Sequence, residues 1–415
     1  MATHAPMPDF FDPHVIEDPF DWYQQALARG GMAHAGGGTV RLVLSHKLVS
    51  EAAGRHGDFS SNFGAAMKGT RRADDEIAAI EAKGWPQVDT MLTADQPVHT
   101  RFRKLVNLAF SMPRVNAMEE EIRAIVDNLL DSLDGRDTVE LVHDFAVPLP
   151  VAVIARQIGM DEHVGDVKRW SDAFVDRLGG MAPREREIEC AELVVEFQHA
   201  VKRQIDLRRG GNGPDDLLSA VVNARVEGEQ PLDDAEILSV VQQLMVAGNE
   251  TTTSTIAGGL LLLIQNPDQL AKVRADRSLI PNMVEEMLRL LSPTAGLWRI
   301  AAHDTQLGEE TIAKGEMMML RFAAANRDPV AFPDPDAFDV TRKNARSHLA
   351  FGRGIHMCVG NMLSRKELAV AFERLIDRYD AFELPEGAND FRQMPNKLLR
   401  GLLSLNVRLR RATPA

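Results

Sequence analysis

The sequence predicts a mainly α-helical protein with a few small sheets at its periphery. Three observations carry that expectation. Helical spacing of apolar residues dominates from about Asp95 onward. One stretch, residues 233 to 265, is long enough for a helix of about 45 Å at 1.5 Å per residue. Every strand-like piece is short.

Taken in chain order, residues 1 to 18 show no periodic pattern and read as an irregular N-terminal arm. They lack a charged segment followed by an apolar core, so neither a signal peptide nor an anchor is expected, and the protein is expected in the cytoplasm. The run "TVRLVLS" (39 to 45) reads as a strand. "EEEIRAIVDNLLDSL" (119 to 133) has helical spacing, and "GGNGP" (210 to 214) has the chemistry of a flexible surface loop. The long helix opens on Asp233 with Glu236 three residues later, a capping box, and stops at Asn266-Pro267. Gln242, Gln243, Asn249 and Glu250 break its apolar run, so it is a buried central helix and not a membrane span. "EMMMLRFA" (316 to 323) and "LLSLNVRLR" (402 to 410) supply the other strands.

Composition narrows the function. With 47 Lys+Arg against 60 Asp+Glu the formal charge is -13, which argues against nucleic acid or an anionic membrane as the main partner, because each needs a basic face. Only two cysteines occur, Cys190 and Cys358, so a disulfide framework and a four-cysteine metal site are excluded. The length of 415 residues alone suggests two or three domains, yet no low-complexity linker separates them.

Cys358 stands in "FGRGIHMCVG" (351 to 360), just ahead of an amphipathic helix whose apolar face runs from Met362 to Tyr379. A cysteine at a helix mouth meets free amide N–H groups and the positive dipole end, and both favour thiolate. Gly352 and Gly354 permit a tight loop with φ > 0, and Gly360 lets a bulky group approach the backbone. A lone cysteine is usually inert core. Here the surrounding pattern, F-G-x-G-x-H-x-C-x-G, resembles the haem-ligand loop of the cytochromes P450.

Other segments carry the same resemblance, in the family's order, from about Pro19 to Arg410. "AGNETT" (247 to 252) resembles its central-helix motif, "EEMLR" its Glu-x-x-Arg pair and "FDVTR" the later arginine. The resemblance implies a single catalytic domain over 1 to 415, replacing the expectation from length, with a helical bundle around haem and a small β-rich lobe near the N-terminus. It implies haem b held by the Cys358 thiolate as the one metal ligand, with Phe351, Gly360 and Ala247 against the cofactor. His99 and Arg103, four residues apart on one helical face, together with Arg299, His348 and His356, are expected to hold the haem propionates. Glu250 and Thr251 are the expected catalytic acid-alcohol pair, delivering protons to dioxygen, the co-substrate. Glu286, Arg289 and Arg342 are expected to support the thiolate loop structurally.

The activity implied is monooxygenation, typically hydroxylation, of a small apolar molecule. Two electrons come from NAD(P)H through an NAD(P)H-dependent ferredoxin reductase and a [2Fe-2S] ferredoxin, and the protein is expected to be a monomer. A peroxide-driven peroxygenase and a haem-based carrier or sensor are the alternatives. The first typically replaces the acid-alcohol pair with a central-helix arginine, which "LMVAGNETT" does not do, and the second has no use for that pair. By analogy with the family, the substrate pocket is expected to take Trp85, Val88, Leu244, Ala247, Thr294, Leu297 and Leu398. Between Thr341 and Lys366 there are six basic residues and no acidic one. With Arg342 assigned to the buried support, five remain to form an exposed patch near the thiolate for an acidic ferredoxin.

Overall fold

The computed structural model describes residues 7–62, 74–179, 182–211 and 213–411. The central helix spans Asp234–Gln265, and the anticipated capping box is formed at both of its bonds: Glu236 N donates to Asp233 Oδ1 at 2.9 Å, and Asp233 N donates to Glu236 Oε2 at 3.0 Å. It ends at Asn266 because Pro267 begins the next helix as its first residue.

Two helices cross the central helix where it carries Gly258 and Gly259. A Cβ on Gly259 would lie 2.6 Å from Phe372 Cζ and 2.8 Å from Met287 Sδ. That close approach seats Ile280–Leu291 and Asn361–Arg378 directly against the helix, and these carry the Glu286 cluster and the residues after Cys358. Phe372, Leu260 and Met287 are fully buried in the main helical core with Phe102, Ile122 and Phe145. Each such side chain contributes roughly 1.5–3 kcal/mol relative to exposure.

The sheets are small, and their strands fall where the sequence placed them, at Val40–Val43, Met317–Leu320 and Asn406–Arg411. The β-rich lobe is nevertheless not local in sequence. In its five-stranded sheet Val40–Val43 pairs antiparallel with Met32–Ala35 and parallel with Met317–Leu320, which in turn pairs antiparallel with Leu297–Ala301. The last of these holds Arg299 on the edge of the interior.

Two smaller expectations are corrected. The arm expected to be irregular contains a short helix, Pro13–Glu17, because Asp12 caps it and Pro13 presets its first turn. The turn at Gly210 and Gly211 is bracketed by a buried ion pair, Arg208 to Asp216, so its two ends are pinned together; Asn212 lies outside the described residues. Among the described residues no helix is long and apolar enough to cross a membrane.

Candidate active site

The Cys358 loop is built by backbone geometry. Gly352 and Gly354 have φ of 68° and 73°, and a Cβ on Gly354 would sit 2.6 Å from the Ala53 carbonyl, so only glycine closes this turn. Cys358 N donates to the Phe351 carbonyl at 2.8 Å, and Asn361 Nδ2 donates to the Cys358 carbonyl at 2.6 Å. Gly360 caps the following helix. The Cys358 side chain lies deep in the fold yet keeps partial accessibility. Its thiol pKa departs from the expectation for a helix mouth: burial pushes it up, and the opposing Gly360 N–H, Arg103 and Arg365 do not offset that. A bound cation is what deprotonates such a sulfur outright.

Around this loop gather buried and half-buried donors that make no ion pair among the described residues. His99, on the helix Val98–Val106, is 2% exposed, and neither ring nitrogen makes a well-formed hydrogen bond, although the Ile355 backbone lies beside it. Its ring centroid is 4.3 Å from that of His356, whose Nδ1 meets the Met91 carbonyl at 3.2 Å while Nε2 is unpartnered. Arg299 is 4% exposed and donates only to its neighbour's carbonyl, Trp298 O, at 2.7 Å. Arg103, one turn from His99, makes no hydrogen bond with the described residues. Burial, followed by the Arg299 and His99 charges, pushes His356 down to about 4, and burial pushes Arg299 down to about 10. Asp95 lies near, but its oxygens are taken by Ser61 N and Ser60 Oγ. Unpaired cations and donors in a buried cluster are the complement of a doubly anionic group, so these residues fit the two propionates of haem.

On the central helix Ala247 and Gly248 keep accessible surface between buried Met245 and buried Asn249, and a Cβ on Gly248 would meet nothing within 4 Å. Thr251 Oγ1 donates to the Ala247 carbonyl at 2.9 Å, while Ser254 and Thr255 bond back to the carbonyls of Glu250 and Thr251. Such i−4 bonds loosen a helix locally. Burial raises the Glu250 pKa, with Lys168 opposing and Asp172 adding to the rise.

The comparisons with known proteins agree with this geometry. The family model for cytochrome P450 matches residues 166–407. Cytochrome P450 107B1 of Saccharopolyspora erythraea is 41% identical over 320 residues, covering 77% of this chain and 76% of that protein. This chain is a cytochrome P450. The 6-deoxyerythronolide B hydroxylase of the same organism is 39% identical over 320 residues, 77% of this chain and 78% of that protein. The solved structure of CYP109Q5 from Chondromyces apiculatus superposes with a TM-score of 0.85 at 31% identity, covering 98% of this chain and 99% of that one. The fold is the P450 fold and the activity that of a P450 monooxygenase, which implies haem with thiolate ligation and use of dioxygen.

His348 and Trp85 stand elsewhere than the sequence placed them. His348 has no nitrogen left for a propionate: Nδ1 accepts from Ala350 N at 3.1 Å, which leaves Nε2–H to donate to Glu285 at 3.0 Å. Trp85 stacks edge-on with His199 at 5.2 Å and lines an open groove with Arg209 and Asp233. That is the start of the central helix, about 20 Å along it from Ala247 at 1.5 Å per residue. Leu398 and Leu297 are half-buried, the first against the cluster that holds Phe10 and Trp22 and the second against the one that holds Phe322 and Leu349, so each keeps accessible surface. Val88 donates its N–H to Ser239 Oγ at 3.0 Å, two turns before Ala247 on the central helix, and Leu244 is three residues before Ala247 on that helix. Thr294 bridges to Leu399.

The support cluster is complete. Arg289 makes a bidentate pair with Glu286 at 2.7 and 2.8 Å, Arg342 Nε adds 2.8 Å, and both side chains of the first pair have no exposed surface. The guanidiniums of Arg289 and Arg342 spend their remaining donors on the carbonyls of Asn326, Pro333, Asp334, Pro335 and Ala337.

Sequence reasoning missed the neighbouring Glu285, which is 1% exposed. Burial would raise its pKa, but hydrogen bonds from His348 and Arg365 prevail and hold it at about 2. Arg365 also stacks over Phe351, 4.4 Å from the ring centroid, fastening the loop to the helix behind it. Glu367 was missed as well: it is buried on the same helix beside Thr252, and burial pushes it up to about 8. The signal for Glu285 was its place beside Glu286 in the motif; Glu367 had none beyond being an acid on the helix after Cys358.

This network also removes most of the expected basic patch. Arg365 and Arg346 pair with Glu285, and Lys366 pairs with Glu119. Lys343 and Arg353 are the patch residues with no ion pair among the described residues, while Arg346 stays largely exposed.

Proposed function

We propose that this P450 binds haem b through Cys358 as a monomer with one catalytic domain over 1 to 415, acts in the cytoplasm, and hydroxylates a small apolar substrate with electrons drawn from NAD(P)H through a reductase and a [2Fe-2S] ferredoxin. The observation that carries this reading is the donor set of His99, Arg103, Arg299 and His356 beside the Cys358 loop, buried or half-buried and without an ion pair among the described residues. When bound, haem with a thiolate ligand supplies the cleavage of dioxygen and the transfer of one oxygen atom to the substrate. The chain's own residues do the rest. The four donors hold and orient the propionates, and Phe351, Gly360, Ala247 and Gly248 leave room for a flat group between the loop and the central helix. Glu250, its pKa raised by burial, keeps a proton available close to Thr251. The Thr251 hydroxyl, held by the Ala247 carbonyl, is the last protein group able to pass that proton on.

Reduced, haem-loaded protein with carbon monoxide should show the long-wavelength band of thiolate-ligated haem. Cys358→His should lose it and Cys190→Ser should keep it. Thr251→Ala should keep the band and go on oxidising NAD(P)H, but with product per NAD(P)H falling severalfold and peroxide rising. Unchanged coupling in Thr251→Ala would remove the proton role.

A further inference from the structure

Gln243 lies one turn before Ala247 on the same face of the central helix and is only partly buried. The segment leading to His99 runs along that face. Val88 bonds to Ser239 at 3.0 Å, Thr90 Oγ1 donates to Gln243 Oε1 at 2.9 Å, and the Met91 carbonyl meets His356 Nδ1 at 3.2 Å. The Gln243 carbonyl is therefore pinned by Thr90, which is itself 2% exposed. Its Nε2 amide makes no hydrogen bond among the described residues. Turning the amide over would not remove the surplus, because the Thr90 hydroxyl would then have no acceptor for its own proton. Toward the loop that holds Cys358 the neighbours on this face, Leu244 and Ala247, are apolar, while the polar groups Ser239 and Thr90 are engaged with Val88 N and with Gln243 itself, so the amide donor is the one left unspent among these named groups. That is how a pocket sets the orientation of a ligand.

We infer that Gln243 reads a hydrogen-bond acceptor on the substrate: the ligand is an apolar body carrying a carbonyl, ether or hydroxyl oxygen about 6 Å along the helix from Ala247. This rests on the proposed placement of haem and substrate against Ala247. Gln243 acts as a specificity-determining residue, and Thr90 positions it.

The test uses haem-loaded protein and two near-isosteric azoles that anchor on iron through the imidazole nitrogen, 1-(4-acetylphenyl)imidazole and 1-(4-ethylphenyl)imidazole, titrated by the Soret shift. Wild type should bind the acetyl compound roughly five- to tenfold more tightly than the ethyl compound, the range of one net neutral hydrogen bond. Gln243→Leu and Gln243→Met should bring that ratio to one or below while the ethyl compound's Kd stays within about twofold, and Thr90→Val should give an intermediate ratio. The same acetyl preference in wild type and both Gln243 variants, or a ratio of one in wild type, would overturn the inference. No azole shift in wild type with either compound would instead overturn the haem-thiolate reading on which it stands.

Discussion

Two clusters of buried charge flank the Cys358 loop, and they are built on opposite plans. In the Glu286, Arg289 and Arg342 cluster every guanidinium is matched by a carboxylate or a carbonyl of the same chain. In the His99, Arg103, Arg299 and His356 cluster the chain brings donors together with no ion pair among the described residues; Asp95 acts on His99, Arg299 and His356 by its charge alone and accepts its hydrogen bonds from Ser60 and Ser61. A satisfied buried network fixes a fold, whereas an unsatisfied one destabilises the chain until something outside it binds. The first is therefore architecture and the second is a binding site, although both place arginines inside the fold; the second is also the less buried, since Arg103 and His356 keep partial exposure.

The sharpest way to break the comparison is to remove Glu286. Glu286→Ala leaves two buried guanidiniums unpaired, a loss of about 3–5 kcal/mol, and should yield protein that neither melts cooperatively nor loads haem. Removing a cation from the other cluster should act in the opposite sense on the apoprotein. Arg299→Leu should leave apoprotein melting unchanged or raised, while transfer of haem to a scavenging apoglobin accelerates roughly 10- to 100-fold, the worth of a lost charged hydrogen bond. A fall in apoprotein stability as large as that of Glu286→Ala would erase the distinction.

Acid separates the two sides by pH window. His356 has a native pKa of about 4 against an ordinary 6.5, so the unfolded chain binds the extra proton and apoprotein stability should decline as pH falls from about 6.5 to 4. Glu285 has a native pKa of about 2 against 4.5, so its contribution is complete above about 4.5 and is lost as pH falls toward 2. Denaturant titrations across pH should show the upper window shrink in His356→Phe, with the remainder from His99, whose pKa burial also lowers, and the lower one flatten in Glu285→Gln. The smallest effect belongs to the remaining surface cations. Arg353→Glu and Lys343→Glu should each slow turnover supported by an acidic ferredoxin about two- to threefold at low salt, with no difference at high salt and no change in the carbon monoxide band. Equal rates at every salt concentration would place electron entry elsewhere.

Much of this was legible in the chain itself. The central helix, its capping box and its proline stop are local signals, fixed by residues within four positions of one another, and so is the glycine-bounded loop around Cys358. The pairing of Glu286 with Arg289 is an i, i+3 relation, readable for the same reason. What the tertiary structure decided was which partner each long-range group takes. His348 resembled a propionate ligand, but the fold turns it to Glu285, 63 residues away in the chain. The basic run from Arg342 to Lys366 looked like a docking patch until Glu285 and Glu119, carried on other helices, neutralised most of it. Trp85 is apolar and stands in a segment expected to line the pocket, yet which side of a loop faces the interior depends on packing, here against His199, that no local pattern encodes. The β-rich lobe likewise needs strands from both ends of the chain. Propensity and capping act over a turn of helix, so sequence sets them; charge pairing and burial act across space, so only the folded chain assigns them.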